Sequence, residues 1–243
     1  MTGASSGIGR AIVLRLAAAG ARVLATGRDT ATLTELEAAA RAAGAGPNQV
    51  VGHAADLTDQ GDLDRLVTTA RTRTGPLDLL VHSAGAFHRA AMAGAELADL
   101  DRSYQVNLRA PYALTQALLG DLEATAGRPA VGDVVGDVVF INSSQGITAG
   151  AGTSQYAATK HGLRAVADSL RAELSGSAVR ICTIYPGRTA TPMQERVAAL
   201  EGQLYDPTHL MMPEDVADLV VAVVSLPGRT EVPEVVMRPA IRR

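Results

Sequence analysis

Two hydrophobic rhythms alternate along the chain. Short β-branched runs at residues 22–26, 49–53, 78–82, 137–143, 179–185 and 234–238 are apolar at consecutive positions. Between them, Ala- and Leu-rich stretches near residues 9–19, 30–43, 60–74, 100–125, 154–175 and 213–226 repeat their apolar positions with helical spacing. Strands apolar on both faces and separated by helices predict a parallel sheet covered on both sides. Right-handed crossovers then make a doubly wound α/β layer, with ligands bound at the carboxyl ends of the strands. The pattern predicts one domain over residues 1–243, with no internal linker.

Two irregular regions interrupt the alternation. Residues 126–136, with Gly-Arg-Pro and the echo Val-Gly-Asp-Val, read as a lengthened surface connection. Residues 188–212 form a long link between the strand at 179–185 and the last helix, with a short helix expected at 193–200. A link of that length in a compact domain is expected to act as a lid over a substrate.

Composition narrows the function classes. The single cysteine, Cys182, has no disulfide partner and sits in an apolar run, so it reads as a buried thiol. A net charge of −3 with scattered charges offers no basic stripe for nucleic acid. No apolar stretch approaches the ~20 residues that span a bilayer, and the start lacks a basic-then-apolar signal region, so a soluble cytoplasmic protein is expected. The five histidines show no zinc-ligand spacing, and the Gly-x-Ser-x-Gly elbow of Ser-His-Asp hydrolases does not occur. His82, at a strand end, reads as a hydrogen-bonded packing residue.

The first chemical signal is Thr2-Gly3-Ala4-Ser5-Ser6-Gly7-Ile8-Gly9, which opens directly onto a helix. Glycines let backbone amides approach a pyrophosphate, and the helix N-terminus favours its charge. The tip of the next strand sets the dinucleotide preference. An acidic residue there would accept the ribose hydroxyls of NAD and repel a 2′-phosphate. Gly27 followed by Arg28 instead offers a guanidinium suited to phosphate, so NADP(H) is expected over NAD(H). Asp56-Leu57 ends the following strand, where Asp56 either meets the adenine amine or caps the next segment.

The second signal is Tyr156 and Lys160, one helical turn apart and on one face. An ammonium beside a phenol is expected to lower the phenol pKa from about 10. The tyrosine can then give a proton to a carbonyl oxygen or take one from an alcohol, while the lysine can also reach a cofactor ribose. Ser143, at a strand end 13 residues upstream, can hydrogen-bond the substrate oxygen. Asn107 can interrupt a helix and hold a water that links the lysine to solvent. Each residue also has a purely structural use; their joint occurrence carries the argument.

With these residues in hand, the sequence resembles the short-chain dehydrogenase/reductases along nearly its whole length. Thr2–Gly9 matches the family's Thr-Gly-x-x-x-Gly-x-Gly loop, and Asn107, Ser143, Tyr156 and Lys160 match its catalytic tetrad. Pro186-Gly187, with Thr189 and Thr191, resembles the segment that cradles the nicotinamide carboxamide. His82-Ser83-Ala84-Gly85 stands where the family has Asn-Asn-Ala-Gly; Ala84 and Gly85 can still line the cofactor. Ser144 follows Ser143, but the spacing to Tyr156 favours Ser143. The resemblance implies a Rossmann-like fold, hydride transfer between NADP(H) and a carbonyl or alcohol, no metal, and a homodimer or homotetramer formed through the long helices at 100–125 and 154–175.

The family carries a central β-strand just before the glycine loop, whereas here only Met1 precedes Thr2. Loss of that strand would leave its neighbours roughly 10 Å apart, so the sheet is expected to close up and displace the loop, or to fill the gap. The natural start is expected upstream of Met1. A non-catalytic dinucleotide sensor or scaffold is the alternative reading, favoured by a missing strand and opposed by a complete tetrad. An isomerase or dehydratase with tightly held cofactor is a third. The substrate pocket is expected between residues 87–93, 145–154 and 188–212, with Gln145, Gln194 and Tyr205 as polar contacts. Its apolar bias suggests a neutral ketone or aldehyde, while Arg188 and Arg196 leave room for an acidic one.

Overall fold

The computed structural model describes residues 1–126 and 135–240; most of the expected surface connection at 126–136 lies outside the described residues. Helix α1 (Gly7–Ala18) follows the glycine loop and buries Ile12, Val13 and Leu16. It leads to β1 (Val23–Gly27). Helix α2 (Thr30–Ala42) starts where the Asp29 carboxylate accepts from the amide of Ala31, and α3 (Gln60–Arg73) starts where Asp59 caps Asp62. Strands β2 (Val50–Ala54) and β3 (Leu79–His82) alternate with them.

The stretch read as one helix over 100–125 is three pieces. Helix α4 (Leu97–Tyr104) passes into a π-helical turn, Gln105–Arg109, and then into α5 (Ala110–Ala126). Such turns place a side chain that a regular helix would misdirect; here it is Asn107. Next come β4 (Gly136–Ile141), α6 (Ser154–Glu173) and β5 (Val179–Pro186). The chain ends through α7 (Pro192–Leu200), α8 (Pro213–Val224) and β6 (Glu234–Met237).

All paired strands are parallel. Because successive strand side chains face opposite ways, Val139 and Ile141 join a core with α1, α2 and α8. Val138 and Phe140 join the other, with α3, α5 and α6. This is the doubly wound, Rossmann-like α/β arrangement that the pattern predicts. One charged pair crosses the apolar interior: Arg180 on β5 binds both carboxylate oxygens of Asp137 on β4 at 2.8 Å. Its guanidinium also donates to the carbonyls of Val224, Leu226 and Thr230. Bidentate pairing and full use of the donors make burial of that charge tolerable.

The centre of the sheet departs from the expectation of closure or filling. The order is β2-β1 on one side and β3-β4-β5-β6 on the other, joined among the described residues where Thr2 bridges Thr26 and His82. Around it, the Met1 amine donates to the Leu24 carbonyl at 2.8 Å. Thr26 N–H donates to Met1 at 2.8 Å, and Thr2 N–H donates to Val81 at 3.0 Å. Two residues thus hold the carboxyl ends of β1 and β3 in place, and the glycine loop lines the cleft at those ends. Toward the amino ends of the strands a cavity of about 360 Å³ remains, walled by Leu16, Leu66, Leu114 and Leu118. Burial of the Met1 amine pushes its pKa down to about 5, since a charge there has lost its water.

Candidate active site

At the carboxyl ends of the strands lies a cleft of about 720 Å³. Tyr156 and Lys160 face it from the first two turns of α6, and Ser143 from the end of β4. Ser143 lies within reach of the Tyr156 phenol and opposes its upward shift, and its Oγ accepts from the amide of Gln145 at 3.1 Å. Of the two adjacent serines, Ser143 is therefore the one within reach of the tyrosine. The Nζ of Lys160 donates to the carbonyl of Ile141 at 3.1 Å and lies 5.8 Å from the centre of the Tyr156 ring.

The electrostatics correct one expectation. Lys160 does not lower the Tyr156 pKa; burial pushes the phenol up to about 12, with Ser143 opposing. The same burial pushes Lys160 down to about 8. Desolvation penalises both charged forms, and it outweighs an ammonium whose own hydrogen bond goes to a backbone carbonyl.

Asn107 stands behind the cleft, fully buried. Its Oδ1 accepts from Ala86 N–H at 2.7 Å, while Nδ2 donates to the Ala86 carbonyl at 2.9 Å and to Thr159 Oγ at 3.0 Å. Thr159 in turn donates to the carbonyl of Tyr156 at 2.8 Å. The Asn107 side chain thus clamps the loop after β3 to α6. Thr159 was not singled out by sequence; its place three residues after the tyrosine is the only signal. Phe87, in the expected pocket wall at 87–93, meets the tyrosine ring edge-on, 4.9 Å between centres at 66°.

The other arm of the cleft is lined by Gly3, Ser5, Ser6, Gly7, Ile8 and Gly9. A Cβ on Gly3 would lie 2.5 Å from the Ala84 nitrogen, and one on Gly9 would lie 2.0 Å from the Gly3 carbonyl oxygen, so both positions require glycine. Ser6 makes no side-chain cap at α1, leaving first-turn amides to the cleft. An amide-lined helix start fits a pyrophosphate.

Arg28 is exposed at the tip of β1 and has no ion-pair partner among the described residues. Asp56 lines the cleft too, but its Oδ1 accepts from Thr58 N–H and Oγ at 2.9 and 2.8 Å. Those bonds, with Arg102 and Arg28 nearby, hold its carboxyl below the usual range. Capping is thus the use its side chain makes here. Arg102, on α4, escaped the sequence reading because it comes from a distant helix. Leu57, Ala84, Gly85, Pro186, Gly187, Thr189 and Thr191 complete the lining. Thr191 also caps α7, its Oγ accepting from Gln194 N–H at 3.2 Å. These features fit a nicotinamide dinucleotide.

Gln145 and Gln194 line the remaining arm, whereas Tyr205 does not. The segment 188–212 is closed at its stem: Ala190 N–H donates to Met211 at 2.7 Å, and Met211 N–H to Arg188 at 3.1 Å. His82, fully buried, pairs its Nε2 with Thr115 Oγ at 2.9 Å and stacks on Phe140. Burial pushes its pKa down to about 3. Among the described residues, no helix is long and apolar enough to cross a membrane.

Residues 1–201 match the family described as short chain dehydrogenase. Sepiapterin reductase of Chlorobaculum tepidum is 32% identical, covering 98% of this chain and 94% of its own length. The 1-deoxy-11-beta-hydroxypentalenate dehydrogenase of Streptomyces exfoliatus is 36% identical, covering 90% and 76%. Among solved structures, a closed serine dehydrogenase complexed with NADP+ is 26% identical with a TM-score of 0.86, covering 100% of this chain and 94% of that one. A metagenomic short-chain oxidoreductase in complex with NADP is 28% identical with a TM-score of 0.81, covering 99% and 96%. The chain belongs to the short-chain dehydrogenase family and is an oxidoreductase by kinship.

Proposed function

We propose that the chain reduces a carbonyl group with NADPH, Tyr156 giving the proton. The observation that carries this reading is the meeting of Tyr156, Ser143 and Lys160 in the same cleft as the glycine loop and Arg28. NADPH, when bound, supplies the hydride. Gly3 to Gly9 offer amides to its pyrophosphate, and Arg28 offers a free guanidinium to its 2′-phosphate. Two structurally similar proteins are complexed with NADP+ or NADP, which supports a nicotinamide dinucleotide in this cleft.

At the other end, Ser143 and Tyr156 hold the carbonyl oxygen. A phenol held at about 12 stays protonated at neutral pH, which suits donation to an oxygen gaining alkoxide character. Lys160 keeps positive charge near that oxygen below its pKa of about 8, stabilising charge in a site sheltered from water. Asn107 and Thr159 fix the helix that carries both. A protonated phenol beside a charged lysine suits the reductive direction; in this reading segment 188–212 is the lid and α5 and α6 are the faces of a homo-oligomer. Steady-state reduction of a ketone and aldehyde panel with NADPH and NADH tests this. Turnover that prefers NADPH and is lost in Tyr156→Phe is expected; NADPH binding without turnover of any carbonyl would return the chain to the role of a dinucleotide sensor.

A further inference from the structure

Glu201 follows α7 at its C-cap position, where the helix dipole disfavours an anion. Its carboxylate is nevertheless largely buried, with 12% of the side chain exposed. Two arginines hold it there. Arg188, just after β5, donates to its two oxygens at 3.0 and 2.8 Å, and Arg89, in the loop after β3, donates at 3.3 Å. All three line the cleft that contains Tyr156, and so does Arg196 on α7. Arg196 has no partner among the described residues. This arm of the cleft thus holds three guanidiniums against one carboxylate. Gly202 follows Glu201 at φ +67°, so the backbone turns sharply where the carboxylate would have to swing out.

From this geometry we infer that the carbonyl substrate bears a carboxylate, bound by Arg188 and Arg89 in the place Glu201 now holds. The inference rests on the carbonyl-reductase reading and names its substrate class. Guanidinium pairs with the planar fork of a carboxylate through two parallel hydrogen bonds, which neither an ester nor a plain ketone can match. Glu201 already has the right charge and shape, and it acts as an internal stand-in. The unpaired Arg196 leaves the arm cationic when Glu201 is in place, and so attracts an anionic substrate rather than a neutral one.

The experiment compares kcat/KM for α-oxo and γ-oxo acids with that for their methyl esters, using NADPH and the full chain. Acids should be preferred by about tenfold or more, the value of one charge-assisted hydrogen bond. Arg188→Ala and, separately, Arg89→Ala should bring the ratio toward one. Glu201→Gln, which empties the arginines of their internal anion without shortening the side chain, should raise it. Esters reduced as well as or better than acids by the native chain would overturn the inference and leave the reductase reading standing. An acid preference unmoved in all three variants would also overturn it, because the anion would then bind elsewhere. If no carbonyl of either kind is turned over although NADPH binds, the reductase reading fails and this inference with it.

Discussion

Lys160 and Tyr156 are neighbours without a direct hydrogen bond: Nζ is 5.8 Å from the ring centre and donates instead to the Ile141 carbonyl at 3.1 Å. Burial moves the two groups in opposite directions, the phenol up to about 12 and the ammonium down to about 8. Both shifts favour the neutral form of each group. The consequence is a tyrosine poised as an acid beside a lysine whose charge is easily lost.

The pH dependence follows with a definite sign. Tyr156 remains protonated well above neutrality, so reduction should hold steady through the neutral range and fall as pH rises past about 8, where Lys160 loses its proton. Alcohol oxidation needs the phenolate and should keep rising with pH. Initial rates in both directions from acid to alkaline buffer check this; a reduction rate that climbs with pH would contradict it.

Removal of the phenol hydroxyl should be costly. Tyr156→Phe is expected to lower kcat by roughly 100- to 10,000-fold, the usual worth of positioned acid–base catalysis. NADPH binding, followed by fluorescence titration, should change little, because the glycine loop and Arg28 are untouched.

Arg28 should decide between the two dinucleotides. With no ion-pair partner among the described residues, its guanidinium is available to a 2′-phosphate. Arg28→Ala should reduce the NADPH-over-NADH preference by about ten- to a hundredfold, chiefly through a weaker Kd for NADPH. An unchanged ratio of the two dissociation constants would remove Arg28 from the site.

Acid should destabilise the fold in two separable windows. In a chain that starts at Met1, the amine falls from 8.0 to about 5 on folding. The unfolded chain then binds the extra proton, so stability is full above pH 8 and declines as pH falls to 5. His82 falls from 6.5 to about 3, so its stabilising share is full above pH 6.5 and declines toward pH 3 by the same linkage. Urea midpoints measured across pH should show both slopes, with the lower one flattened in His82→Gln.

The cavity between β1 and β3 makes a further claim. Thr2 pairs with Thr26 and His82, so by register two residues placed before Met1 would lie between Leu24 and Leu80, then Val23 and Leu79. Extension by two or three Val or Leu residues should raise Tm by roughly 5–10 °C, from burial of two apolar side chains. It should also erase the upper of the two pH windows, since the amine becomes an amide. Asp or Gly in the same places should do neither.

How far the sequence reaches can be judged residue by residue. Strand and helix periods located nearly every element, because the strands are apolar on both faces and the helices on one. The glycine loop, Ser143, Tyr156 and Lys160 were legible since their chemistry depends on local spacing. Thr159 and Arg102 were not, because their partners are distant in the chain or their types carry no motif. The single helix expected over 100–125 is broken at Gln105–Arg109: the hydrogen bonds from Asn107 to Ala86 that accompany the break are invisible to periodicity.

By itself, then, the sequence determined the alternation of elements, the parallel sheet and the short-range constellations, all of which follow from side-chain period and backbone sterics. Only the tertiary structure decided how the centre of the sheet is held by Met1 and Thr2, which way burial drives Tyr156 and Lys160, and which cations Glu201 occupies. These depend on desolvation and on contacts between residues far apart in the chain. No local pattern encodes how much water a fold removes from a charge.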